Sequence, residues 1–204
     1  MLFRSALVLL DVIWAPPGWR FIKLEDYQRR RLLVYFNRDF ASRDATPAER
    51  KAAEHLQARD RYNVEQALIS VGSGGIWGKG WRNGTQTSLG YLPRAGAHND
   101  FLFSVLAEES GFFGSLVVLG LYATILFSGI KIAGEARDGL GRILASGIVA
   151  LLFTHLFVNI GMNVGLMPVT GIPLPLLSAG GTSVLCSLIA IGILQNIHLH
   201  RRHY

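Results

Sequence analysis

Cysteine is almost absent. The single thiol, Cys186, lies inside an apolar run, which excludes an intrachain disulfide and a thiolate metal site and leaves helix packing as its expected use. Metal-ligand spacing is missing too: the six histidines form no HExxH-type pair. His198, His200 and His203 gather beside Arg201 and Arg202, the composition of a membrane-surface tail. No DNA- or RNA-binding motif occurs. Charge is nearly missing from residues 110–199, while residues 17–100 hold most of the Lys, Arg, Asp and Glu. The net charge of +6 is therefore a property of a loop and of helix ends. It points to an anionic lipid or a pyrophosphate as partner rather than to nucleic acid.

What is abundant is apolar length. Half the residues are hydrophobic, which suits an all-α polytopic membrane protein better than a soluble globule. Transmembrane helices are expected over residues 100–133, 143–167 and 174–199, each with the roughly 20 apolar residues needed to cross about 30 Å of hydrocarbon. Residues 5–15 are apolar but short, contain Asp11 and stop at Pro16-Pro17. They read as the last turns of a truncated membrane helix over residues 1–16, in a chain that forms the C-terminal part of a larger protein. Lys131, Arg137, Arg142 and the terminal arginines put the 134–142 loop and the 200–204 tail in the cytoplasm. The uncharged 168–173 link and the large 17–99 loop then face outward.

That large loop has structure of its own. Thr46-Pro47-Ala48-Glu49 has the form of a capping box with proline at the first helical position, and the Arg50/Glu54 pair supports a helix to about Asp60. Val64, Ala67, Leu68 and Val71 fall on one helical stripe, fit for a membrane face or other helices. Gly72-Ser73-Gly74-Gly75 ends it. The following Ile76-Trp77-Gly78-Lys79-Gly80 is no phosphate loop, because Ser73 and Gly80 stand where that motif needs glycine and a hydroxyl residue. A glycine-rich turn re-entering the interface and a turn that sets Lys79 near an anionic headgroup remain equally good readings.

Asp100 stands at the mouth of the first membrane helix, where a carboxylate is either paired or used. Helical spacing puts Asp100, Ser104 and Glu108 on one face. The competing reading is a simple helix cap, with Glu108 and Glu109 neutralising nearby arginine. In the next span His155, Asn159 and Asn163 repeat every four residues. Such a stripe must face other helices, as hydrogen-bonding groups, or line a substrate groove. Pro173-Leu174-Pro175 and Ser178-Ala179-Gly180-Gly181 mark a broken, closely packed start to the last span.

Together these residues resemble a known family. Gly78-Lys79-Gly80-Trp81, Gly84-Thr85-Gln86, Leu92-Pro93, His98-Asn99-Asp100-Phe101 and Ala107-Glu108-Glu109 occur in the order of the SEDS proteins (shape, elongation, division and sporulation). So do Asn159-Ile160-Gly161-Met162, Gly165-Leu166-Met167-Pro168, Thr170-Gly171 and Pro173 through Ser183. The resemblance covers about Trp19 to the C-terminus and is stronger to the RodA-type elongation branch than to the FtsW-type division branch. Arg94-Ala95-Gly96-Ala97 between Pro93 and His98 and the helical stretch 46–60 are departures from the pattern.

The resemblance implies a multi-pass protein of the bacterial cytoplasmic membrane. Its expected activity is a glycosyltransferase that polymerises lipid II, the undecaprenyl-pyrophosphate-linked disaccharide, into peptidoglycan strands during elongation and cell-shape maintenance. A class B penicillin-binding protein is the implied transpeptidase partner. The family's essential aspartate falls on Asp100, implied as general base. Lys79 and Arg82 are the candidates for the pyrophosphate, with Arg94 the weaker one, and a divalent cation is a candidate to share that charge. His98 and Gln86 are candidates to orient the acceptor, and Glu108 continues the polar track into the bilayer. Two rival classes stay open: a transporter of the same lipid-linked sugar, and a non-catalytic scaffold of the cell-wall complex.

Overall fold

A computed structural model describes residues 26–36, 46–91 and 100–200. Among these residues the fold is all-α. The helices are α1 (Asp26–Tyr35), α2 (Pro47–Ser73), α3 (Thr85–Ser88), α4 (Leu102–Glu135), α5 (Gly139–Asn163) and α6 (Gly181–His200). The expected helix end over residues 1–16 lies outside the described residues. The chain divides into two compact units, residues 1–62 with 168–170, and residues 63–167 with 171–204.

In the first unit α1 is a helix that no cap or periodic stripe announces. Tyr35 and Phe36 at its end meet edge-on, ring centroids 5.1 Å apart. α2 starts at Pro47, where the capping pattern places it, and the Arg50 amide donates to the Thr46 carbonyl at 2.9 Å. The two helical pieces expected for the loop are one continuous helix of 27 residues, because nothing between Asp60 and Val64 breaks it.

In the second unit α4, α5 and α6 are each long and apolar enough to cross a membrane. α4 and α5 pack along each other and α6 touches both. Small residues allow the approach: Ala133 and Ala145 pack with Leu194, and a Cβ on Gly129 would lie 2.5 Å from Val149 Cγ2. Higher up, Tyr122, Leu156 and Leu174 form a second buried cluster. Asp138 caps α5 by accepting from the Gly141 amide at 3.0 Å, so the α4–α5 turn needs only residues 136–138.

Two helix ends differ from the expected spans. α6 begins at Gly181 rather than near 174, and α5 stops at Asn163 rather than near 167. The prolines at 173 and 175 supply no amide proton for a helical ladder. The chain instead folds on itself: the Leu174 amide donates to Ser178 Oγ at 2.7 Å and the Ser178 amide returns to the Leu174 carbonyl at 3.0 Å. Tyr122 Oη donates to the Pro175 carbonyl. Leu174, Pro175 and Ser178 are all fully buried, so this irregular backbone sits inside protein, as its depth requires. After Asn163, Gly165 takes φ +76 and the Leu166 amide turns back to the Gly161 carbonyl at 2.8 Å.

α4 is broken. Gly111 has φ 69 and ψ −167, a conformation only glycine holds without strain. The break would strand two donors and two acceptors in an apolar setting, at several kcal/mol each. The glycine-rich turn after α2 satisfies all four. Glu108 and Glu109 carbonyls accept from the Lys79 and Gly80 amides, both at 3.0 Å. The Phe112 and Phe113 amides donate to the Gly75 and Ile76 carbonyls at 2.8 and 3.1 Å. Residues 102–110 thus form a short half-helix, set off from the span at 112–135.

Candidate active site

The half-helix carries Glu108, follows directly on Asp100 and is gripped from two sides. On one side stands α5. Asn159 and Asn163, both fully buried, direct their amide nitrogens at the Asp100 carbonyl, at 3.3 and 3.1 Å. Asn163 Oδ1 accepts from Ser104 Oγ at 2.6 Å, and Asn159 Nδ2 also reaches the Ile172 carbonyl at 2.7 Å. The stripe read from the sequence therefore joins other segments by hydrogen bonds at Asn159 and Asn163. His155 departs from that role: it is half-buried and lines a cavity of about 680 Å³ between α5 and α6, with Thr182, Ser183 and Cys186.

Asp100 is half-buried. The N-cap residue of α4 is Phe101, with no side-chain capping bond, so Asp100 stands one position outside the cap. The Asp100 backbone, by contrast, is held firmly by two amide groups that the apolar surroundings make strong.

On the other side stands the loop after α2. Lys79 Nζ lies 2.7 Å from Glu108 Oε1. The same ammonium reaches Ser73 Oγ at 2.8 Å and Thr85 Oγ1 at 2.6 Å. Glu108 Oε1 accepts also from Thr85 Oγ1 at 2.9 Å and from the Gln86 amide at 3.1 Å. Glu108 is 0% exposed, and its Oε2 has no hydrogen-bond partner among the described residues. A Cβ on Gly84 would lie 3.0 Å from that oxygen, so the loop backbone packs closely on the carboxylate.

The sequence candidates are thus sorted by geometry. Lys79, Gln86 and Glu108 come together around the buried Glu108 carboxylate, through the Gln86 amide rather than its side chain. A lysine ammonium has three protons to donate, and Lys79 uses all of them inside the protein. Arg82 is exposed at φ 61 on the turn beside Trp81. His98 and Arg94 fall outside the described residues. Ser73 and Thr85 also bond to the cluster of Lys79 and Glu108 and Gly111 borders it, contacts that sequence spacing does not reveal, although Thr85 stands in the Gly84-Thr85-Gln86 motif. Among the described residues no group of three His, Cys, Asp or Glu side chains is placed to hold a metal ion.

Known proteins are similar to this chain in sequence and in fold. The family model FTSW_RODA_SPOVE, described as cell cycle protein, matches residues 2–203. The peptidoglycan glycosyltransferase MrdB of Escherichia coli K12 is 40% identical over 195 residues, covering 96% of this chain and 48% of that protein. The peptidoglycan glycosyltransferase RodA of Treponema pallidum is 37% identical over 175 residues, covering 86% of this chain and 36% of that protein. The chain spans about half the length, or less, of these curated relatives. A solved structure described as "Structural coordination of polymerization and crosslinking by a peptidoglycan synthase complex" contains a similar chain. The two superpose with a TM-score of 0.65 at 28% identity, over 100% of this chain and 48% of that one. With a family model spanning nearly its whole length and relatives of this identity, the chain belongs to the FtsW/RodA/SpoVE family of cell cycle proteins, the SEDS family, and is RodA-like.

Proposed function

We propose that this protein is a peptidoglycan glycosyltransferase of the elongation type, which polymerises lipid II at the outer face of the bacterial cytoplasmic membrane. The observation that carries the reading is the grip on Asp100 by Asn159 and Asn163, in a chain 40% identical over 195 residues to a protein named for that activity. Positioning of this kind is what a general base requires.

In the reaction, the 4-hydroxyl of one disaccharide attacks the anomeric carbon of the next. A C–O bond forms, the bond to undecaprenyl pyrophosphate breaks, and the configuration inverts from α to β. The Asp100 carboxylate takes the hydroxyl proton as the bond forms. Pyrophosphate leaves with its electron pair, and nearby positive charge stabilises it. Arg82 suits that task better than Lys79, because its guanidinium is exposed while the Lys79 donors are committed. A class B penicillin-binding protein is the proposed crosslinking partner, supported by the likeness to a chain of a synthase complex described as coordinating polymerisation with crosslinking.

The test is the purified full-length gene product given lipid II in detergent, where there is no bilayer to cross. Glycan polymer is expected, and Asp100→Ala should abolish it while the protein still inserts and keeps its thermal midpoint. An active Asp100→Ala protein removes the base assignment. No polymer, together with lipid II movement in vesicles, makes the protein a transporter.

A further inference from the structure

We infer that Lys79 and Glu108 are positioning residues: a clasp on the buried Glu108 carboxylate that holds the half-helix after Asp100 against the glycine-rich loop, with Lys79 taking no part in phosphate binding. The catalytic part of this inference rests on the proposed glycosyltransferase reading; the structural part stands without it.

Three observations lead here. First, the Lys79 ammonium is saturated by Ser73, Thr85 and Glu108. A phosphate oxygen would have to displace one of them, and losing Glu108 would leave a fully buried carboxylate without its counter-charge. Second, the pair is joined twice. The Lys79 amide donates to the Glu108 carbonyl at 3.0 Å, and the Lys79 side chain bonds the Glu108 carboxylate at 2.7 Å. Backbone and side chain thus fix one register between loop and half-helix. Third, the clasp sits beside the break at Gly111. An unbroken helix would hold Glu108 in place by its own ladder. Here that carbonyl has given up its helical donor, and the loop substitutes for it.

The clasp closes a three-point mount for the segment that begins at Asp100. Asn159 and Asn163 hold the Asp100 carbonyl, Asn163 holds Ser104, and Lys79, Thr85 and Gln86 hold Glu108. Two of the anchors come from α5 and the third from the loop after α2, and all act on residues 100–108. A base that must meet a hydroxyl at the bilayer boundary needs this fixity, since a misplacement of about 1 Å costs on the order of a hundredfold in rate.

Ligand and clasp predict opposite outcomes when both charges are removed. Breaking one side of a buried ion pair is damaging, whereas replacing both is close to neutral. Lys79→Met in the full-length protein should lower kcat at least about tenfold with KM for lipid II little changed. Lys79→Met combined with Glu108→Gln should recover most of that kcat. If the double variant stays as inactive as Lys79→Met and its KM rises, Lys79 is a phosphate ligand and the inference is overturned. Hydrogen exchange of the Phe112 and Phe113 amides reads the clasp independently of any activity. Their protection should fall in Lys79→Met and return in the double variant. Unchanged exchange in Lys79→Met overturns the clasp even if polymerisation is lost. If no lipid II is polymerised by any form, the exchange result still decides between the two, and only the enzyme reading fails.

Discussion

Asn163 shows how much one side chain can organise. Its amide nitrogen serves the Asp100 carbonyl and the Asn159 carbonyl, and its oxygen takes the Ser104 hydroxyl. Truncation leaves buried polar groups unmatched, at about 1–3 kcal/mol each. Asn163→Ala is expected to lower the thermal midpoint in detergent by several degrees and polymerisation by about tenfold; an unaltered midpoint and rate would show that the α5 grip is dispensable. The sequence supplied the residue, because a polar stripe at 155, 159 and 163 in an apolar helix demands partners. It did not supply the partners. Ser104 is 59 residues away along the chain and the Asp100 carbonyl is 63, and spacing within one helix carries no information about the next. The same holds for Lys79, read as a pyrophosphate candidate, and Glu108, read as part of a polar track, which are 29 residues apart yet bonded to each other.

The exchange of hydrogen bonds between the 74–80 loop and broken α4 belongs to the scale of elements. Its condition is close backbone approach. A Cβ on Gly78 would strike the Glu109 carbonyl oxygen, one on Gly74 the Ala107 carbonyl, and one on Gly111 the Gly78 amide. Gly111→Ala is therefore expected to cost more than the ~1–3 kcal/mol of a residue held in a glycine-only region, because the clash adds to it. The readout is loss of folded protein on size-exclusion chromatography in detergent, with Gly78→Ala behaving alike. Gly120→Ala, on the same helix with open space around it, should behave as the native protein; if all three were equally stable, the loop would not need this contact. The break itself was illegible in the sequence. Gly111 sits in a run apolar enough to read as one span, and a glycine in a membrane helix is common. Only a loop that offers two donors and two acceptors turns that glycine into a break.

At the scale of the whole molecule, charge sets the expected topology. Lys131, Arg137 and Arg142 are exposed around the 136–138 turn, while Trp77 and Trp81 are exposed on the loop at the other end of α4. In a Cys186→Ser background, Trp81→Cys should react with a membrane-impermeant maleimide in spheroplasts and Arg137→Cys only after lysis; the reverse pattern would invert the orientation. The sequence by itself determined the three helices long and apolar enough to cross a membrane, because that depends on apolar length, which is additive along the chain. The tertiary structure alone decided that α4 is broken at Gly111, that residues 174–180 stay irregular, and that Lys79 closes on Glu108. Those features depend on which distant groups can satisfy a stranded carbonyl, amide or carboxylate in an apolar medium, and that is known only once the segments have met.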